Sequence, residues 1–531
     1  MTAGTRERPA PAPAPSGARR YARPRNRFQG PAWLEGPMTS CHLVLGAGGL
    51  LLVIGLVMVF SASAIEAALA DEPAWKPGVQ QVVWAGLGLG AMAVALRLPA
   101  GFLRRWSPIA LIAVFVMLLL VLIPGVGIRL NGARQWFDLG FAHLQPSEVA
   151  KLVFALWGAH VLALRERYLT TTSLLVPVLP VFGVFSLLLI AEPDFGAVVS
   201  LGLVLIGLLW AGGMPLRWFG GFLAAAVVLI VILVKLAPYR MARITSFLDP
   251  FADPTEGGFQ AIRGMYALAT GGFWGVGLGN SAMKWNLLPH AESDYIFAII
   301  GEELGFLGCL VVVTLYGVLA YAGFRIARRS ADRFVQLASV AITVWLIGQA
   351  AMNMGYVVGL LPVTGVQLPL ISAGGTSLVL TLFIIGLLAR FARSEPEAIE
   401  AQRGRARGRL ARLFFPVPES AVDPVRPRRH PEDRAAGRAA VTGTRTVVHA
   451  RPGRPVPPRN TVPPRNTVPP RNTVPPRNIV AAPPAPSPPR STPPRSAPPA
   501  TAVPREHGAQ PRGSGRRQPP SAAPRRPGRP R

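Results

Sequence analysis

The chain has 531 residues, half of them apolar, a mean hydropathy of +0.36 and a formal net charge of +29. Length and hydropathy fit a large soluble protein or a polytopic membrane protein, and the segregation of charge decides: long runs almost free of charge fill the middle, while the positive charge sits in the two ends and in short loops. That distribution argues against nucleic acid as a partner and for anionic lipid head groups or an acidic cytoplasmic protein; Cys41 and Cys309, in or beside apolar segments, have no metal-ligand spacing and read as packing residues.

Residues 1–37 are rich in Pro, Ala and Arg, cannot bury a core and are expected to be a disordered basic cytoplasmic tail. The tail is too long and proline-rich for a removable signal peptide, so the first apolar run serves as an uncleaved anchor. Ten apolar segments follow, near 40–62, 79–96, 108–127, 148–164, 174–191, 196–212, 218–237, 294–322, 335–356 and 374–392. The fold class is therefore all-α and polytopic, a ten-helix transmembrane domain over residues 38–393. Every even-numbered connection is short and basic, with Arg97, Arg104 and Arg105 in the second, Arg165 and Arg167 in the fourth, Arg217 in the sixth, and Arg325, Arg328, Arg329 and Arg333 in the eighth. The positive-inside rule makes these connections cytoplasmic, together with both termini.

The odd-numbered connections are then extracytoplasmic, and two are long: Ile128 to Glu148, and Ala237 to Ser293 between helices 7 and 8. Arg134, Arg240, Arg243 and Arg263 lie in them against the positive-inside bias. Either an anionic ligand is bound there or the arginines pair with Asp249, Asp253 or Glu256 to fold the loop. Ionisable groups also recur near helix ends. Glu148 and Lys151 are three apart on a helix and are expected to neutralise each other, Ser147 or Glu148 can cap that helix, Glu192 and Asp194 flank Pro193, and Glu302 and Glu303 project about 100° apart, so one of them at least is structural.

The eighth segment stands out. Lys284, His290, Glu292 and Asp294 belong to a Gly- and aromatic-rich stretch, and Asp294 sits where this polar loop meets an apolar run without Lys or Arg from Tyr295 to Tyr321. Ala298, Gly301, Gly305 and Gly308 fall within about 40° of Asp294 on a helical wheel. That small-residue face either admits a neighbouring helix or receives a lipid tail whose head meets Asp294. Ser293 or Asp294 can also serve as the helix N-cap. Beyond the last segment, 394–416 is a charged, helix-compatible juxtamembrane stretch, and 417–531 is a Pro- and Arg-rich tail that repeats PPRNTV, polyproline-like in character.

Five ordered motifs, NGARQWFDLGFAHLQPSEVAKL (131–152), EPDFG (192–196), YRMARITSFLDPFADP (239–254), GLGNS through LPHAESDYIFAIIGEELG (277–305) and GYVVGLLPVTGVQLPLISAGGTS (355–377), resemble the SEDS family of shape, elongation, division and sporulation proteins, over about two thirds of the chain. The wording of the last motif and the EPEAIEAQR after it look most like the cell-division branch in its actinobacterial form. The resemblance implies a peptidoglycan glycosyltransferase that polymerises lipid II, an undecaprenyl-pyrophosphate disaccharide-pentapeptide, on the outer face of the cytoplasmic membrane at the division septum. Its implied partners are a class B penicillin-binding protein and other divisome proteins, and a divalent cation, Mg or Mn, is the one cofactor to consider. Asp294 aligns with the family's aspartate and is implied to be the catalytic residue, as base or as a carboxylate that orients the acceptor. Arg134, Arg240, Arg243 and Lys284 are implied to meet the pyrophosphate, Trp136 a sugar or the interface, and His290 and Glu292 complete the candidate substrate site. Many relatives carry Gln in place of Glu192 and His-Thr-Asp-Phe in place of Glu292 to Tyr295, and several carry Lys in place of Thr364, so a role for a histidine next to the aspartate, replaced here by His290 two places earlier, and a phosphate contact of that lysine do not transfer. A lipid II flippase and a scaffold that activates the transpeptidase are the competing readings.

Overall fold

Apolar runs of this length become helices in a bilayer because only a helix or a closed barrel satisfies every backbone group without water. A computed structural model shows this for each run. It describes residues 34–130, 133–140, 142–166, 170–235, 247–252, 258–285, 288–289 and 291–403, all within one compact unit. The helices are α1 (Thr39–Leu69), α2 (Lys76–Ala95), α3 (Ala100–Val121), α4 (Pro146–Leu164), α5 (Thr171–Ala191), α6 (Phe195–Ala211), α7 (Leu216–Lys235), α8 (Phe259–Gly271), α9 (Ile296–Arg329), α10 (Arg333–Val357), α11 (Gly375–Arg393) and α12 (Pro396–Arg403). Eight of them are long and apolar enough to cross a membrane among the described residues, and α6 is a shorter apolar helix of 17 residues. The ten expected segments correspond to α1–α7 and α9–α11, and α8 is an additional helix within the long loop. The chain is a multi-pass membrane protein. Most of the tail segments, 1–33 and 404–531, lie outside the described residues. Pro396–Arg403 is helical, as the juxtamembrane composition suggests.

Successive membrane helices run in opposite directions, so the bundle has two unlike ends. At one end a small antiparallel sheet of β1 (Gly127–Leu130), β2 (Ala133–Asp138) and β3 (His143–Leu144) lies between α3 and α4. Arginines gather at the other. Arg104 pairs with Asp332 at 2.6 Å, Arg333 donates to Ala211 O at 3.1 Å, Arg390 to Leu98 O at 3.1 Å, and Arg325 to Ser40 Oγ and Leu34 O, both at 2.6 Å. The connection after α9 is far shorter than the apolar run suggests, because Arg325, Arg328 and Arg329 continue the helix. Their charges sit at its C-terminal end, where the helix dipole favours cations. Arg325 also holds Leu34 and Gly36, so the last residues of the expected tail belong to the fold.

Helix α10 is the hub, packed against α4, α6 and α9, while α1 and α8 flank α9. The small-residue face of α9 is occupied by this chain itself. A Cβ on Gly301 would run into Leu268 of α8, and one on Gly271 into Gly301 O. This corrects the lipid-tail reading of that face at Gly301 and Gly305 and agrees with close helix approach. The helix also breaks at Gly305, where φ is 68° and ψ is −167°. The turn after α8 inserts into the break: Val276 N–H donates to Glu302 O (2.9 Å), Gly277 N–H to Glu303 O (3.0 Å) and Phe306 N–H to Gly272 O (2.9 Å). Gly275 and Gly277, at φ 82° and 97°, make this turn possible. Gly374 and Gly375 serve a different end. Gly374 is extended, and a Cβ on Gly375 would press on Trp84 at 2.8 Å, so that pair permits close approach.

Substitution Gly305→Ala is expected to cost at least about 3 kcal/mol, from backbone strain and collision with Phe273 O and Gly275 N. Thermal unfolding in detergent measures it, with Gly317→Ala on the same helix, where an added Cβ meets nothing within 4 Å, as the unaffected control.

Candidate functional site

The mouth of the site is built where the loop after α8 enters α9. The N-cap of α9 is Tyr295, whose side chain makes no capping hydrogen bond, so neither Ser293 nor Asp294 occupies the N-cap position the sequence allows. Ala298 N–H goes to Tyr295 O at 2.9 Å. Asp294 O is thereby left to partners outside the helix and accepts from Asn353 Nδ2 (3.0 Å) and Tyr356 OH (2.8 Å), both on α10. The two preceding carbonyls are held as well, Ser293 O by Ser372 Oγ (2.6 Å) and Glu292 O by Ala373 N–H (2.9 Å).

The segment between α10 and α11 forms a strap across this stretch. Gly365, at φ 68°, brings bare backbone to the acid, and a Cβ there would lie 3.6 Å from Asp294 Oδ2. Asp294 is half-buried. The strap is itself tied down. Gln81 Nε2 donates to Ser372 O (3.3 Å) and Gln349 Nε2 to Gln367 O (3.1 Å), and just beyond the strap Thr376 Oγ1 of α11 donates to His143 O of the sheet (2.9 Å).

Beneath the mouth, the two adjacent acids of α9 have separate tasks. Glu302 accepts from Ser281 Oγ and from Ala282 N–H (2.9 Å), holding the loop to the helix. Glu303 pairs with Lys284 at 3.0 Å and accepts from Ser61 of α1 at 2.7 Å. Both glutamates are structural, one more than the sequence requires. Lys284 is 5% exposed, and its charge is answered by Glu303 instead of being open at the mouth.

Arg134 and Trp136 lie on β2, both half-buried. Arg134 donates to Leu122 O at the C-terminal end of α3 (3.0 Å), and its neighbour Gln135 donates to Glu192 O (3.2 Å). Arg263, on α8, lies over the Phe259 ring at 5.2 Å. Arg240, Arg243 and His290 lie outside the described residues. The described residues contain no group of three or more His, Cys, Asp or Glu side chains that could hold a metal ion, so a divalent cation finds no protein cage among them. Gln349, Asn353 and Tyr356 are absent from the sequence-derived candidates. Polar side chains at i, i+4 and i+7 on an apolar helix are the signal that points to them.

A second polar cluster lies beside the first. Asp194 caps α6 through Ala197 N–H (2.9 Å) and accepts from Gln145 (3.0 Å) and Ser147 (3.1 Å). Ser147 therefore serves Asp194 rather than the start of α4, whose N-cap is Gln145 without a side-chain bond. Lys151 pairs with Glu148 at 2.6 Å, as their spacing suggests. Glu192 is fully buried, and neither of its carboxyl oxygens meets a hydrogen-bond partner. Burial, with Asp194 adding to it, pushes its carboxyl from 4.5 to about 9.

Two measurements test this arrangement. Removing Lys284 alone, as Lys284→Met, is expected to destabilise by about 3–5 kcal/mol because Glu303 is left as an unpaired buried charge, and Lys284→Met with Glu303→Gln is expected to recover most of the loss in a thermal unfolding assay. The raised carboxyl of Glu192 binds a proton that the unfolded chain gives up. Its contribution to stability is therefore full below pH 4.5 and declines as pH rises toward about 9. Glu192→Gln should unfold at a higher temperature than the parent at pH 8, with the gap closing toward pH 5.

Comparison with known proteins agrees with this architecture. Residues 41–397 match the FtsW, RodA and SpoVE family model, described as cell cycle protein. A protein named probable peptidoglycan glycosyltransferase FtsW from Mycobacterium tuberculosis is 46% identical over 446 residues, covering 82% of this chain and 85% of that one. Among solved structures, a chain from a peptidoglycan synthase complex, reported for its coordination of polymerization and crosslinking, superposes with a TM-score of 0.57 at 28% identity, covering 66% of this chain and 97% of that one. The rod shape determining protein RodA of Thermus thermophilus gives a TM-score of 0.51 at 26% identity, covering 69% of this chain and 99% of that one. The chain belongs to the FtsW, RodA and SpoVE cell cycle protein family, the SEDS family that its motifs resemble, in the actinobacterial FtsW form.

Proposed function

We propose that this protein is a peptidoglycan glycosyltransferase that polymerises lipid II into glycan strands during septal wall synthesis. The observation that carries the reading is Asp294: an acid at the junction of a polar loop and a buried helix, its backbone carbonyl held by Asn353 and Tyr356 and its carboxylate beside the bare backbone of Gly365. In an inverting transfer the acceptor sugar's hydroxyl oxygen attacks the donor's anomeric carbon. The new C–O bond forms as the bond to the pyrophosphate breaks, the bonding pair leaves with the pyrophosphate, and the hydroxyl proton passes to the Asp294 carboxylate.

The departing pyrophosphate needs positive charge. Arg240 and Arg243, with Arg134, are the candidates for this role. Lys284 joins them only by leaving Glu303. Trp136, Glu292 and His290 are assigned to the sugars and peptide of the substrate, and a divalent cation, if used, to the pyrophosphate oxygens. The arginine-rich end of the bundle faces the cytoplasm by the positive-inside rule, which puts the sheet, the strap and Asp294 at the outer surface. That is the face on which glycan is assembled. A class B penicillin-binding protein is the partner assigned to crosslink the product, with other divisome proteins around the pair.

The test is polymerisation of labelled lipid II by the purified protein with its transpeptidase partner, the penicillin site of the partner blocked. The parent is expected to form glycan ladders, and Asp294→Asn to lose them by at least about 100-fold while still binding the partner. A correctly inserted Asp294→Asn variant with full polymerase activity overturns the assignment.

A further inference from the structure

We infer that Asn353 and Tyr356 of α10, together with Ser372 of the strap, are positioning residues that set the reach of the Asp294 carboxylate. This rests on the proposed role of Asp294 and extends it to side chains whose hydrogen bonds go to the backbone carbonyls of Ser293 and Asp294. Three consecutive carbonyls, at 292, 293 and 294, are gripped by two different elements: Glu292 O accepts from a backbone N–H, Ser293 O from the Ser372 hydroxyl, and Asp294 O lies within reach of both the Asn353 amide and the Tyr356 phenol.

The donor count is closed. Asn353 Nδ2 offers two protons and the Tyr356 hydroxyl one, and they face three acceptors: Asp294 O, Val366 O (2.8 Å from the amide, 3.0 Å from the phenol) and the phenol's own lone pair (2.6 Å from the amide). Two buried carbonyls facing it fix the amide's orientation, since its oxygen would repel both. The same two side chains thus tie Asp294 to Val366, the residue next to Gly365. The acid and the backbone it faces are set by one pair of groups on the most enclosed helix of the bundle, where Asn353 is fully buried and Tyr356 nearly so.

Asp294 O would otherwise be free to accept the first helical N–H, from Ala298. That donor goes to Tyr295 O instead. The helix starts one residue late, and the peptide plane after Asp294 is oriented by α10 rather than by α9. A carboxylate that must meet a sugar hydroxyl gains from this fixed origin, because misplacement by about 1 Å costs on the order of 100-fold in rate.

The experiment measures initial rates of lipid II polymerisation against lipid II concentration for the purified complex with the class B partner. Rates are normalised to folded, partner-bound protein, for Tyr356→Phe, Asn353→Ala, Ser372→Ala and Ser372→Thr. The expected result is a fall in kcat of about 10-fold for Tyr356→Phe and about 100-fold for Tyr356→Phe with Asn353→Ala. KM for lipid II should be unchanged, and Ser372→Thr should restore what Ser372→Ala loses. Unchanged kcat per folded complex in Tyr356→Phe and Ser372→Ala overturns the inference, and so does a raised KM at constant kcat. These two variants decide the matter should Asn353→Ala fail to insert. Failure of the underlying reading is separate: it shows as full activity in Asp294→Asn.

Discussion

The break in α9 at Gly305 is the constraint on which the rest of this structure depends. A helix interrupted inside a bilayer leaves carbonyls and N–H groups that lipid cannot satisfy. Here the turn after α8 enters the break and satisfies them strand-fashion, through Val276, Gly277 and Phe306. Once that turn is committed, the loop that follows has little freedom. Ser281 and Ala282 meet Glu302, Lys284 meets Glu303, and the chain returns to the start of α9 with Asp294 at the mouth. The glycines at 271, 275 and 305 are thus joined to the acid by geometry, since each lets one backbone pass close to another, while Gly301 makes room for the Leu268 side chain.

Beneath the mouth the interior is polar and closely matched. Glu303, Lys284 and Ser61 join α9, the loop and α1, while Glu148, Lys151 and Gln349 join α4 to α10. Such groups are costly in hydrocarbon unless answered, and answered they fix which helices are neighbours. Glu192 departs from this, its carboxyl buried without a hydrogen-bond partner and held neutral by its surroundings at ordinary pH.

The arginines show why pattern and contact must be read together. In sequence they mark short connections and orientation. In the fold, Arg325, Arg333 and Arg390 also serve backbone carbonyls of other segments, and Arg134, at the opposite end, serves the C-terminal end of α3. A charge whose hydrogen bonds are engaged with the chain's own backbone is not simply available to a ligand. The same applies to Lys284, which composition alone presents as a free cation.

Ten membrane helices, the unlike ends of the bundle, the Glu148–Lys151 pair and the singular position of Asp294 were legible from residue type and spacing. Apolar length, charge asymmetry and helical periodicity are local properties of a chain in a bilayer. Tertiary structure decided what fills the small-residue face of α9, that both Glu302 and Glu303 are structural, that Lys284 is paired, and that Asn353 and Tyr356 hold Asp294 from 59 and 62 residues away. These are pairings between distant segments. Spacing along one helix shows which side chains share a face, but only the packed bundle determines which backbone that face meets.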